Sequence, residues 1–145
     1  MFKKILFPTD FSDVASKAMK YITQLKGAGA QEVIVLHVID EKELTLLSRT
    51  PDQYSRIMEG LNKEVSSEMT AVEAALTSEG FRVKLHVRTG NPFNVIMDTA
   101  TKDKVSIIVL GSHGRSNITE MLMGSVSENV IRHARVPLLV ISREK

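Results

Sequence analysis

The sequence predicts an α/β fold: a doubly wound, five-stranded parallel sheet with helices on both faces. Three observations predict it. Short apolar runs alternate with longer amphipathic stretches over the whole chain, the βαβα pattern that implies a parallel sheet. Several runs are apolar on both faces and rich in β-branched residues, as strands buried between two helical layers must be. Glycine, proline and capping residues fall between these segments, where the chain has to turn. At 145 residues, with no repeat, low-complexity tract or linker, residues 1–145 are expected to form a single domain.

The first strand lies within Lys3 to Thr9, where Ile5-Leu6-Phe7 is ended by Pro8. Ser12 or Asp13 can cap the helix that follows. Val14, Ala18, Ile22 and Leu25 keep helical spacing, and Gly27 with Gly29 ends it. Val33 to Val38 is the second strand, β-branched and almost wholly apolar. Ile39 to Tyr54 is irregular, with four acidic residues, Pro51 and the leucines Leu44, Leu46 and Leu47. It is expected to be a surface loop with a short helical turn; a lid over a ligand is the alternative. A long helix is expected from about Ser55 to Ser78, with Leu61, Val65, Met69, Val72 and Leu76 on one face and Gly80 as the stop. Val83 to Arg88 alternates apolar with polar residues, which places it at a sheet edge. Asn91 as cap and Pro92 at the first helical position open a helix to about Asp103. Ser106 to Leu110 is the fourth strand. A glycine-bearing loop, a helix to about His133, the breaker Pro137 and a last strand, Leu138 to Ile141, complete five strands and four helices.

Composition narrows the function. A net charge of +2, with signs interleaved and no long basic run, gives little for nucleic acid to bind. Scarce aromatics and the absence of Trp argue against a base-stacking platform. Without cysteine there are no disulfides, thiolate metal sites or Cys nucleophiles, which fits a reducing compartment. Asp10 and Asp13 follow the N-terminal apolar run too soon for a signal peptide, and no run approaches a membrane span. The expectation is a soluble cytoplasmic protein with neither nucleic acid nor membrane as partner.

The chemistry is expected where strand ends meet. In a doubly wound sheet ligands bind beyond the carboxyl ends of the strands, where the winding reverses. With strand order 3-2-1-4-5 the first and fourth strands flank that place. The first ends in Pro8-Thr9-Asp10, the fourth in Leu110-Gly111. From Gly111 the spacing is glycine, two residues, Gly114, nine residues, Gly124, then Ser125. A strand, a glycine-bearing loop and a helix start suit a phosphate, because helix starts present unpaired N–H groups and a positive dipole end. Gly111 would permit a tight turn and close approach. Gly114 would let the loop curl into a nest, and Gly124 would admit phosphate oxygens to the backbone. Arg115 would add charge and Ser125 a hydroxyl. Asp10 would accept from ribose hydroxyls or hold a divalent cation bridging the phosphates. Val38 would offer backbone groups and apolar contact to a base. Neither a G-x-G-x-x-G after the first strand nor a P-loop is present.

Together these residues resemble the universal stress protein family, in its nucleotide-binding type. Lys4 to Ser12 resembles that family's first strand and Val35-Leu36-His37-Val38 its second. Gly111 to Arg115 and Gly124 to Glu128 match its ATP motif, G-x2-G-x9-G-[ST], without departure in spacing. Pro137 to Val140 resembles its last strand. The resemblance covers essentially the whole chain. It implies a Rossmann-like, adenine nucleotide alpha hydrolase-like fold with strand order 3-2-1-4-5. It also implies an ATP site lined by Asp10, Val38, Gly111, Gly114, Gly124, Ser125 and Val126, with AMP or ADP as alternatives and Mg or Mn bridging the phosphates. Pro8, Thr9, Leu110 and Arg115 adjoin these. A homodimer through the last strand is implied too, which agrees with the fully apolar Leu138, Leu139, Val140 and Ile141 at an edge.

Plainer roles stand beside these. Asp10 can simply cap the first helix. His113 more readily makes a loop hydrogen bond than acts as acid or base. His37, His86 and His133 have no ligand-spaced partners and are expected to be structural. The methionines are expected to fill the core, while Met121 and Met123 are candidates to cover an adenine or a partner surface. Ser125 has no activating neighbour in sequence and suits a phosphate donor better than a nucleophile. The function expected is an ATP-binding stress sensor or switch with an unknown protein partner. The alternatives are a slow ATPase or phosphotransferase using the same site, and an interaction module with a vestigial one.

Overall fold

The computed structural model describes residues 1–112 and 124–142. Five parallel strands, β1 (Lys4–Pro8), β2 (Glu32–Asp40), β3 (Arg82–Gly90), β4 (Ile107–Gly111) and β5 (Leu138–Ile141), form one sheet in the order β3-β2-β1-β4-β5. The five helices are α1 (Asp13–Gln24), α2 (Glu41–Leu47), α3 (Pro51–Ser78), α4 (Pro92–Lys102) and α5 (Ser125–His133).

Two apolar layers follow from strand alternation. Ile5, Phe7, Val33, Val35, Ile107 and Val109 face one way, onto Val14, Ala18 and Ile22 of α1 and Val65, Met69 and Leu76 of α3. Leu6, Ile34, Leu36, Ile108 and Leu110 face the other way, onto Ile96 and Ala100 of α4 and Val130 of α5. Ile5, Leu6 and Phe7 are wholly buried, so the central strand is apolar on both faces. Each such side chain contributes about 1.5–3 kcal/mol by leaving water. The chain after β1 therefore turns to one face and the chain after β4 to the other. The reversal of winding lies between β1 and β4.

The expected elements are present, with one difference. Residues 39–54 are not a loop: Ile39 and Asp40 extend β2, Asp40 caps α2, and Thr50 with Pro51 opens α3. The α-helices accordingly number five among the described residues, beside a 3-10 turn, Leu25–Ala28, that continues α1. Of the two expected candidates it is Ser12 that caps α1, its Oγ accepting from Ala15 N at 3.3 Å. At the edge, β3 shows the expected half-exposed pattern, and its His86 meets Asp103 at 3.4 Å.

Candidate functional site

Among the described residues, four α-helix starts are closed by a side chain and one is not. Ser12, Asp40, Thr50 and Asn91 each accept a backbone N–H at the start of α1, α2, α3 and α4. The cap of α5 is Gly124, which has no side chain to do so. Gly124 N–H itself donates to Ser112 O at 3.0 Å, and Glu128 N–H returns to Gly124 O. The N–H groups of Ser125, Val126 and Ser127 lie in the first turn, where no intrahelical acceptor exists. Among the described residues none of the three finds an acceptor.

This helix start is fixed to the end of β4. Ser127 Oγ donates to Gly111 O at 2.7 Å, and Ser112 N–H donates to Ile141 O at 2.9 Å. Both serines are buried. Leu110 is buried in the sheet, and Val126 packs against the α4–α5 layer. Gly111 does not make the expected tight turn. It ends β4 in register with Ile141, and the glycines with positive φ among the described residues are Gly29, Gly80 and Gly90. Gly124 has φ −65°, ψ 149°, open to any residue. What glycine supplies at both positions is the missing side chain. Gly114, Arg115, His113, Met121 and Met123 lie outside the described residues.

Across the reversal, the chain after Pro8 is held by its own side chains. Thr9 Oγ1 accepts from Phe11 N at 3.0 Å, and Asp10 Oδ1 accepts from Ser12 N at 3.0 Å. Asp10 therefore shapes the turn before the helix and leaves the capping to Ser12.

The consequence is felt at Val38. β1 pairs with β2 from Lys4–Glu32 to Pro8–Leu36, and Thr9 N–H donates to Leu36 O at 2.8 Å. A continued parallel ladder would next join Val38 N–H to Thr9 O, then Phe11 N–H to Val38 O. Neither rung forms: Thr9 O accepts from His37 Nδ1 at 2.8 Å, and Phe11 N–H goes to Thr9 Oγ1. Since backbone groups alternate sides along a strand, the Val38 N–H and C=O point past the end of β1 with no strand opposite. Its side chain packs against the α4–α5 layer.

The family model for the universal stress protein family matches residues 1–142. The chain belongs to that family. It is 38% identical to Universal stress protein MJ0577 of Methanocaldococcus jannaschii, over 99% of this chain and 97% of the relative. The solved structure of that protein superposes with a TM-score of 0.90 at 40% identity, covering 100% of this chain and 99% of the other. Two more distant solved structures share the fold. A universal stress protein in complex with cAMP has a TM-score of 0.70 at 20% identity, covering 97% of each chain. One from Arabidopsis thaliana with AMP bound has a TM-score of 0.70 at 15% identity, covering 98% of this chain and 92% of that one. The five-stranded order and flanking helices found here are those of the universal stress protein fold.

Pro8, Thr9, Asp10 and Val38 thus stand on one side of the winding reversal, and Leu110, Gly111, Gly124, Ser125 and Val126 on the other. Three residues escape sequence reasoning. Ser112 and Ser127 tie the helix start to β4, and His37 holds Thr9. A serine three residues after Gly124 was the available signal for Ser127. Nothing local could pair His37 with Thr9, 28 residues away.

Proposed function

We propose that this universal stress protein binds ATP across the carboxyl end of the sheet and acts as a nucleotide-dependent stress sensor or switch in the cytoplasm. Unclaimed backbone groups on both sides of one winding reversal carry the reading. On one side Val38 offers a donor and an acceptor; on the other α5 offers three donors at its positive end. The Val38 pair matches the N1 acceptor and N6 amine donor of adenine, whereas guanine presents the opposite pair. Asp10 meets the ribose. Gly111, Gly114, Arg115, Gly124, Ser125 and Val126 receive the phosphates, with Pro8, Thr9 and Leu110 as walls.

Among the described residues no three His, Asp or Glu side chains cluster to hold a metal. A Mg or Mn ion would take most of its ligands from the phosphates and water, as Mg commonly does, with the Asp10 carboxylate as the protein ligand. AMP and ADP fit the same groups with fewer phosphate contacts. Nucleotide bound against α5 would alter the surface met by a protein partner. The apolar edge strand β5, paired only with β4 through Leu138, Leu139, Val140 and Ile141, supports a homodimer through that strand. Sedimentation at micromolar concentration is expected to find the dimer; monomer alone would remove it.

The test of the site is calorimetric titration of ATP into the protein and into Gly124→Val. The backbone at Gly124 accepts valine, so the fold is expected to survive. ATP affinity should fall by about 100-fold as two or more charge-assisted hydrogen bonds are blocked. Unchanged affinity would displace the phosphates from α5.

A further inference from the structure

The turn after β1 contains a residue in a conformation it would not choose. Phe11 has φ 63°, the left-handed region, where a bulky side chain is an outlier. The other non-glycine residue with positive φ among the described ones, Lys104, follows the last residues of α4, where helix ends commonly take that form. Phe11 ends no helix; it precedes the cap of α1. Conformations of this kind persist where the surroundings over-determine them, and they gather at functional sites.

His37 does much of that determining. Its ring stacks on Phe11 with centroids 4.8 Å apart and planes at 23°. Its Nδ1 lies 2.8 Å from Thr9 O. A carbonyl oxygen only accepts, so Nδ1 carries the proton. Thr9 O is also the atom that Val38 N–H would reach if β1 and β2 continued to pair. His37 therefore does two things with one ring. It fixes the Thr9 carbonyl that would have received the next rung of the ladder, and it stacks on the strained phenylalanine that turns the chain away.

We infer that His37 is a positioning residue for the nucleoside end of the site: by holding Thr9 O and Phe11 it keeps the Val38 N–H and C=O open to the base. This rests on the proposed adenine nucleotide site. It assigns His37 no contact with the ligand. Because the effect is exerted at the base end, it must be the same whatever the number of phosphates.

Two substitutions separate the two contacts. His37→Asn keeps an amide donor near the Nδ1 position and loses the stack. His37→Phe keeps the stack and loses the donor. Adenosine, AMP and ATP are titrated into each variant and into the unaltered protein. His37→Phe is expected to weaken all three ligands by the same factor, about 10-fold, the worth of one hydrogen-bonded arrangement. His37→Asn should stay within about 3-fold of the unaltered protein, as rescue by a retained donor. Should His37→Phe fail to fold, His37→Gln, which moves the donor to where Nε2 stood, is expected to show the same uniform loss. Full affinity in His37→Phe or His37→Gln, or a loss confined to ATP, overturns the inference while leaving the site in place. Failure of the unaltered protein to bind any of the three overturns the site and this inference with it.

Discussion

The two chain segments that leave the winding reversal are built on opposite plans. After β1, side chains do the work: Thr9 Oγ1, Asp10 Oδ1, Ser12 Oγ and His37 Nδ1 each take a backbone partner. After β4, backbone groups and a missing side chain set the helix start, with one serine as tether: Ser112 O receives Gly124 N–H, Ser127 Oγ donates to Gly111 O, and α5 starts without a side-chain cap. Both plans end with backbone polar groups turned toward the crevice. On the first side they are freed by diverting a ladder; on the second they are freed by leaving a helix start open. The difference matches two chemistries. A base edge wants one donor and one acceptor at a fixed place. A phosphate wants several donors and a positive dipole end.

That contrast can be broken from either side. The largest expected effect after the loss in Gly124→Val is base selectivity. GTP sets donor against donor and acceptor against acceptor at Val38, so its affinity should trail that of ATP by about 100-fold in competition titration. Equal affinities would mean that Val38 does not read the base. Next comes Asp10→Ala, expected to weaken ATP and adenosine alike by about 10-fold, the worth of a charge-assisted hydrogen bond. Phosphate release followed in the same samples should stay at the uncatalysed rate. Turnover that Asp10→Ala abolishes would favour the hydrolase alternative over a switch. The smallest effect on binding is expected from Ser12→Ala. Loss of the α1 cap should cost about 1 kcal/mol in denaturant unfolding, with ATP affinity changed by less than about 3-fold. A large loss of affinity there would make the start of α1 a part of the site rather than its support.

Much of this was legible because it lies in local pattern. The strands announce themselves through continuous apolar runs, and the Gly111, Gly114, Gly124, Ser125 spacing is fixed in sequence. The edge position of β3 follows from its alternation. The stretch 39–54 was not legible for a physical reason. The seven-residue α2 buries only Leu44 and leaves Leu46 and Leu47 exposed at 75% and 70%, so it shows no helical stripe. The start of α3 could have been found, since Thr50-Pro51 is a cap followed by a first-turn proline. Within the site, Val38 was named as a backbone contact to a base, but why its backbone groups face no strand could not be read. That cause is tertiary: an unmade rung between β2 and a turn, taken over by a side chain from the same strand. The role of Gly111 was misread for the converse reason. A glycine at a strand end suggests a turn, yet here Gly111 is itself the last residue of the ladder, paired with Ile141.

The central claim is that one crevice holds a base at Val38 and phosphates at the start of α5. Backbone amide resonances measured on isotope-labelled protein test both ends in one titration. With adenosine, Val38 N–H should shift while Ser125, Val126 and Ser127 stay. With ATP, all four should shift together and saturate at one nucleotide per chain. Shifts that leave these amides unmoved and gather elsewhere, such as along the exposed face of α3, would contradict the account.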